Sequence, residues 1–138
     1  LSNLIKQKIQ SAIDNIAPVA PSKQPWVLFL PEEEVHDIGL MLSSYIIREH
    51  GRAVIYLGAR VPEDSLFSVL ELFPKAKLLF FLVKQFDGLS INGLVKNIND
   101  KYPEAKIHIS TNPKRLEKMA ANIDFATIHS VESLIKKV

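Results

Sequence analysis

From residue 26 onward, short apolar runs alternate with longer segments of helical spacing, and this alternation restricts the fold more than any other feature. The apolar runs predict strands at 26–30, 53–56, 77–83, 106–109 and 124–128. Segments with helical periodicity follow them at 34–49, 62–72, 89–101, 113–121 and 131–137. Repeated β-α units with short connections form right-handed crossovers and a parallel sheet. The sequence therefore predicts an α/β fold with a doubly wound, parallel five-stranded sheet of the flavodoxin-like kind.

One amphipathic helix is predicted before this region. Residues 1–17 carry an apolar stripe at helical spacing, formed by Leu4, Ile5, Ile9, Ala12, Ile13 and Ile16. A single helix of this length must pack on something, either the rest of this domain or a helical bundle that precedes it in a longer chain. Residues 18–25 contain three prolines, which predicts an extended linker and an α/β domain at 26–138.

Composition narrows the class of protein. The chain has 138 residues, 47% hydrophobic and 23% charged, which is ordinary for one globular domain. Its net charge of +2 is spread along the chain, so a nucleic-acid surface within it is not implied. The chain has no cysteine, and no apolar run nears the roughly 20 residues that a membrane helix needs. We expect a cytoplasmic location without membrane contact. The start at Leu1 rather than Met suggests a piece of a longer protein.

The residues after the first predicted strand are the strongest candidates for a site. Glu34-Val35-His36-Asp37-Ile38-Gly39 follows the strand and opens a predicted helix, which places His36 on the first helical turn. Open α/β sheets bind ligands at the carboxyl ends of their strands. His36 is a candidate metal ligand, and Glu34 a candidate acceptor for its other ring N–H. Gly39 leaves room for a bulky group. The alternative is a surface histidine in an acidic first turn.

These residues resemble a known signature. Glu34-x-His36-x-x-Gly39 after a first strand is similar to the cobalamin-binding motif Asp/Glu-x-His-x-x-Gly, and the similarity extends over residues 26–72. That stretch resembles the cobalamin-binding domain of MerR-type transcriptional regulators, the light- or cobalamin-responsive repressors. The resemblance implies cobalamin bound base-off with His36 as the lower axial ligand of cobalt, Glu34 as its hydrogen-bonding neighbour and Gly39 beside the corrin or its tail.

The resemblance also implies a biological role. It predicts a sensory domain rather than an enzyme, with a corrinoid as its small-molecule partner and a homo-oligomer whose state responds to ligand or light. DNA binding would reside in a segment outside this sequence. The helix at 1–17 would then be the last helix of a bundle that covers the upper face of the corrin. A corrinoid module of a methyltransferase is a further possibility, since the first motif alone would serve it equally.

Two later parts of the sequence depart from the family. The third strand ends in Phe81-Leu82-Val83-Lys84-Gln85-Phe86, without the expected Ser or Thr. Ser110-Thr111 stands where a glycine pair is expected after the fourth strand. Side chains pushed into a packed slot could weaken binding by roughly a hundredfold. Asp37, Ser110 and Thr111 complete the set of candidate cofactor-contacting residues. The alternative is a degenerate module that binds no corrinoid and serves oligomerisation or another ligand.

Three polar residues and three further histidines are also considered as site residues by their chemistry. Lys84, Gln85 and Asp87 follow the third strand and are expected to be solvated. A phospho-accepting receiver domain would need an aspartate at the end of that strand, and Lys84-Gln85 disfavours this function. His50 ends a predicted helix, where a cation suits the helix dipole. His108 and His129 have no neighbour at ligand spacing, so each is predicted to be a core or surface histidine.

Overall fold

A computed structural model of the chain describes residues 1–31, 34–83, 88–119 and 122–138. Six helices lie in these residues: α1 Ser2–Asp14, α2 Ile38–Glu49, α3 Glu63–Leu72, α4 Gly88–Lys101, α5 Pro113–Leu116 and α6 Val131–Lys137. Five strands lie there as well: β1 Trp26–Pro31, β2 Val54–Val61, β3 Lys77–Leu82, β4 Lys106–Thr111 and β5 Ala126–Thr127.

The five strands form one parallel sheet in the order β2-β1-β3-β4-β5. This confirms the predicted doubly wound α/β fold. The chain passes from β1 outward to β2 and then returns to the other side of β1 as β3. The order of strands therefore reverses at the carboxyl ends of β1 and β3, which is the topological switch point where such sheets bind ligands.

Helices cover both faces of the sheet, because successive side chains of a strand point to opposite faces. Every residue of β1 is buried. One core holds the β1 residues Val27 and Phe29 against α3 and α4. The other core holds Trp26, Leu28 and Leu30 against α2 and α6, with Leu40 of α2 and Leu134 of α6. Burial on two faces explains the unbroken apolar sequence of β1.

Strand β2 is longer than the sequence pattern predicted. The residues 58–61 were expected to form a turn, but they extend β2 to Val61 with irregular pairing against β1. Gly58 has φ of +83° and Arg60 has φ of +56°, so the backbone bends through left-handed conformations at this point. Such bulges add an unpaired residue and turn the strand. Here the bulge lies at the ligand-bearing edge of the sheet.

Helix α1 packs against α2. Lys6 of α1 places its Nζ 2.7 Å from Oδ1 of Asp37, the residue directly before α2. Leu4 and Ile5 of the same helix remain exposed. Within the described ranges, none of the helices combines the length and apolar character that crossing a membrane requires.

His108 is a core histidine, which is one of the two surroundings predicted for it. It is buried in β4, its ring lies 4.8 Å from the ring of Trp26, and its Nδ1 is 3.0 Å from the carbonyl oxygen of Leu78. Burial is the main cause of its lowered pKa, although the hydrogen bond to Leu78 acts in the opposite direction. The charges of Lys137 and Lys77 lower it further. The buried ring therefore resists protonation.

We expect this histidine to make the fold less stable in mild acid. The unfolded chain binds a proton at His108 below its ordinary pKa of 6.5, whereas the folded chain does so only at lower pH. Stability therefore falls as pH drops through 6.5 towards the lowered value. Urea unfolding of the wild type and of His108→Asn between pH 5 and 7 measures this. Between these pH values the free energy of unfolding of the variant should change less than that of the wild type. An equal pH dependence in both proteins would show that His108 is not the cause.

Candidate functional site

The carboxylate of Glu34 joins the two strand ends at the switch point. This side chain is fully buried. Its Oε1 accepts hydrogen bonds from the backbone N–H groups of Val35 and His36, each at 3.1 Å, and its Oε2 accepts from the N–H of Val83 at 2.9 Å. Val83 directly follows β3, so one side chain connects the loop after β1 to the end of the neighbouring strand. Glu34 therefore sets the conformation of the loop that carries His36.

The side chain of His36 is largely exposed on this loop. Its Nδ1 lies 2.7 Å from Oε1 of Glu34, while 59% of its side chain remains exposed. The carboxylate accepts the N–H at Nδ1, which leaves the lone pair of Nε2 available. A carboxylate that orients a histidine in this way is a common arrangement around protein-bound metals. The sequence correctly paired Glu34 with His36.

The predicted position of His36 in a helix was wrong. The helix was expected over 34–49, but α2 begins at Ile38, and Asp37 is its N-cap residue. His36 lies before the N-cap. The physical reason is the local hydrogen bonding of Glu34, whose carboxylate accepts the N–H groups of Val35 and His36. Side chains that bond the nearby backbone compete with helix formation and favour a loop.

Asp37, the residue directly before α2, forms an ion pair with α1. Its Oδ1 pairs with Lys6 of α1. Tyr56 of β2 lies close enough for the charge of Asp37 to act on it. Burial, and secondly that charge, raise the pKa of Tyr56 to about 12. The buried Tyr56 hydroxyl has no hydrogen-bond partner among the residues that the structure describes. Asp37 thus connects the His36 loop to α1, and its charge helps to keep the Tyr56 phenol neutral.

A cleft lies next to the start of α2, and Gly39 is the first residue of the chain that lines it. It has a volume of about 210 Å³ and lies between α2, the ends of β3 and β4, and the start of α6. Most of its lining is apolar, and the lining residues are Gly39, Leu42, Ser43, Ile46, Phe81, Ser110, Ile128, His129, Ser130, Val131 and Leu134. The cleft is therefore a mostly apolar space at the carboxyl ends of β3 and β4.

Gly39 makes room for an aromatic ring of the protein itself. A Cβ atom at position 39 would lie 2.8 Å from Cε2 of Phe81, closer than carbon atoms normally approach. The missing side chain therefore accommodates Phe81 at one wall of the cleft. The sequence predicted that Gly39 leaves room for a bulky ligand group, and it did not identify Phe81 as a neighbour of this glycine. In the sequence Phe81 looks like any other residue of an apolar strand.

Ser110 and Thr111 occupy different surroundings. Ser110 lines the cleft, as expected, and its side chain makes no hydrogen bond within the described ranges. The hydroxyl of Thr111 instead donates to the carbonyl oxygen of Leu82 at 2.8 Å, and Thr111 is not part of the cleft lining. The expectation that both side chains intrude into the slot is therefore met by Ser110 alone.

The remaining candidate residues are the polar residues after β3 and His129. Lys84, Gln85 and Asp87 lie outside the described residues. His129 is exposed at the rim of the cleft, a position that the sequence did not indicate. Across the described ranges, no three His, Cys, Asp or Glu side chains come together in a geometry that could hold a metal ion.

We expect the replacement Gly39→Ala to have opposite effects in two backgrounds. In the wild type the added methyl group meets Phe81, and overpacking of this kind costs about 1–3 kcal/mol. Alanine in a helix recovers up to about 1 kcal/mol relative to glycine. Unfolding should therefore show net destabilisation of about 1 kcal/mol. In a Phe81→Ala background the same replacement should stabilise. Destabilisation of the same size in both backgrounds would show that Phe81 is not the obstacle.

Comparison with known proteins places this geometry in a structural context. No family model matches the sequence, and no curated protein matches it. Solved structures do match. The monomethylamine corrinoid protein of Methanosarcina barkeri superposes with a TM-score of 0.71 at 16% identity, over 98% of this chain and 62% of the other. A cobalamin-binding protein of Desulfitobacterium hafniense gives a TM-score of 0.67 at 17% identity, over 99% and 68%.

A third neighbour belongs to an enzyme complex. The methanol:cobalamin methyltransferase complex of Methanosarcina barkeri contains a chain that matches with a TM-score of 0.56 at 17% identity, over 88% of this chain and 48% of that one. This chain therefore spans about half to two thirds of its structural neighbours. Its fold is the α/β fold of cobalamin-binding and corrinoid proteins. At this level of identity the likeness establishes the fold alone.

Proposed function

We propose that this chain is a cobalamin-binding domain that takes the cofactor base-off, with His36 as the lower ligand of cobalt. The observation that carries the proposal is the contact of 2.7 Å between Nδ1 of His36 and the buried carboxylate of Glu34 at the switch point. An exposed imidazole held by a buried acid is suited to bind one axial position of a metal. The fold of the structural neighbours, which are corrinoid proteins by name, supports the same ligand class.

The residues present fit such a cofactor in three respects. His36 offers Nε2 at the surface, where a large flat ring system has access. Glu34 holds the imidazole in one orientation and fixes its tautomer. The cleft that begins at Gly39 accepts part of a lower tail. When bound, a corrinoid would supply a cobalt ion, which Nε2 of His36 would bind while Glu34 held the imidazole.

We further propose a sensory role in a MerR-type transcriptional regulator. The resemblance over residues 26–72 supports this role. So does the ion pair between Lys6 and Asp37, since it connects α1 to the residue next to His36. A change at His36 would thereby reach a helix on the outside of the α/β domain. The exposed side chains of Leu4 and Ile5 give that helix an apolar surface for a further subunit or segment.

A second candidate is a corrinoid module that serves a methyltransferase. Its support is the third structural neighbour, which comes from a methanol:cobalamin methyltransferase complex. In this role the domain would carry the cofactor to a partner enzyme, and its own association would not depend on the vitamin. The degenerate alternative, a module without corrinoid, draws on the narrow cleft and on Ser110 within it.

Titration of the purified chain with hydroxocobalamin and with aquacobinamide tests the ligand class. We expect a shift of the corrin absorption bands as His36 replaces the lower ligand, and a pink protein after gel filtration. If, for both corrinoids, the spectrum of the mixture equals the sum of the separate spectra of the protein and the free corrinoid, the proposal is refuted. Sedimentation with and without corrinoid, in the dark and after illumination, then separates the roles. Association that responds to ligand or light supports the regulator, and indifference favours the methyltransferase module.

A further inference from the structure

The cleft beside His36 is small for the group that it would have to hold. Its volume of about 210 Å³ lies below the roughly 300–1,000 Å³ of pockets that enclose drug-sized ligands. The lower tail of cobalamin, with its base, ribose and phosphate, belongs to that size class. The space present accepts part of such a tail. Complete entry requires that one wall of the cleft move.

Phe81 is the wall that limits the space. Its ring edge occupies the groove that Gly39 leaves open in α2, at 2.8 Å from the ideal Cβ position of that glycine. The opposite side of the cleft consists of α6 and the segment before it, including Val131 and Leu134. Leu134 is buried in the sheet core and α6 is held by the capping box of Ser130 and Ser133. The aromatic ring is therefore the part of the lining that a ligand would displace.

Displacing this ring carries a penalty. Phe81 is half-buried and packs on the core formed by β1, α2 and α6. Forcing a bulky group into such packing weakens binding by roughly tenfold to a hundredfold. Ser110, with its free hydroxyl, offers a polar partner inside the cleft, so a small polar group needs no such displacement.

We propose that Phe81 determines the tail specificity of this site, so that the domain favours corrinoids without a bulky lower base over complete cobalamin. This inference rests on the proposed function, because it concerns the same ligand at the same histidine. Phe81 acts by excluding the base and takes no part in binding cobalt. It would make the domain a receptor for incomplete corrinoids such as cobinamide.

The test compares the dissociation constants of aquacobinamide and hydroxocobalamin for the wild type, Phe81→Ala and Phe81→Leu. The matched control is Phe67→Ala, which removes another half-buried phenylalanine, on α3 and packed on Tyr102 away from the cleft. Spectral titration gives each constant. The intrinsic cost of detaching the base from cobalt is the same for every variant, so it cancels when their cobalamin-to-cobinamide ratios are compared.

We expect Phe81→Ala to tighten cobalamin binding by at least about tenfold relative to cobinamide, with Phe81→Leu intermediate and Phe67→Ala unchanged. A thermal melt of each variant verifies that it is folded, and Phe81→Leu provides the comparison if the alanine variant is unstable. Equal ratios in all folded variants, together with binding to the wild type, would overturn this inference alone. Failure of both corrinoids to bind any folded variant would overturn the proposed function as well.

Discussion

Replacement of Glu34 by alanine is expected to lower the free energy of unfolding by about 3 kcal/mol and to disorder the loop that carries His36. The carboxylate is fully buried and accepts hydrogen bonds from the N–H groups of Val35, His36 and Val83. Removing it leaves those donors without their acceptor, and each buried donor left unpaired costs about 1–3 kcal/mol. Water that enters the cavity would recover part of this loss.

Two further variants serve as comparisons for Glu34→Ala. Glu34→Gln keeps the size of the side chain, but its amide offers one acceptor oxygen in place of two, so we expect a smaller loss than with alanine. Glu104→Ala is the surface control, because Glu104 is exposed and pairs with Lys75 at 3.5 Å, a type of contact worth about 0–1 kcal/mol. Urea unfolding measures all three. Equal stabilities for Glu34→Ala and Glu104→Ala would show that Glu34 does not hold the loop.

Replacement of His36 by alanine is expected to abolish the spectral change on corrinoid binding and to weaken affinity by more than about a hundredfold. Loss of a partner that merely orients a metal ligand typically costs 10–100-fold, so loss of the ligand itself should exceed this range. The fold should remain intact, since 59% of the His36 side chain is exposed and the Glu34 carboxylate keeps its hydrogen bonds from backbone N–H groups in the variant. Spectral titration and a thermal melt of the same sample separate the two effects.

Two other histidines serve as controls for this variant. His50 lies at the opposite end of α2, where its Nδ1 is 2.8 Å from the carbonyl oxygen of Ile46, and His50→Ala should bind corrinoid as the wild type does. His129 lies at the rim of the cleft, so His129→Ala tests whether a second imidazole reaches the metal. A spectral change that survives in His36→Ala but disappears in His129→Ala would identify His129 as the metal ligand. That result would refute the proposed role of His36.

Local sequence determined the elements and their order. The strand β1 reads as a continuous apolar run because both of its faces are buried, and the helical stripe of α2 continues to Glu49 because one side packs on that strand. Alternation of such segments then leads to a doubly wound sheet, since parallel crossovers have one favoured hand. The pairing of Glu34 with His36 was also predictable, because two residues in a short loop are close whatever the rest of the chain does.

Tertiary structure decided the rest of the site. The bond from Val83 to Glu34 joins residues 49 positions apart, and Phe81 meets Gly39 because β3 lies next to β1 in the sheet. Neither contact can be recognised in the local sequence. An apolar strand residue such as Phe81, or the backbone N–H of Val83, has the same local sequence signature whatever its distant partner is. The size of the cleft follows from these distant contacts. The sequence therefore indicated which histidine is presented, and only the packing of the sheet and helices determined how much space lies behind it.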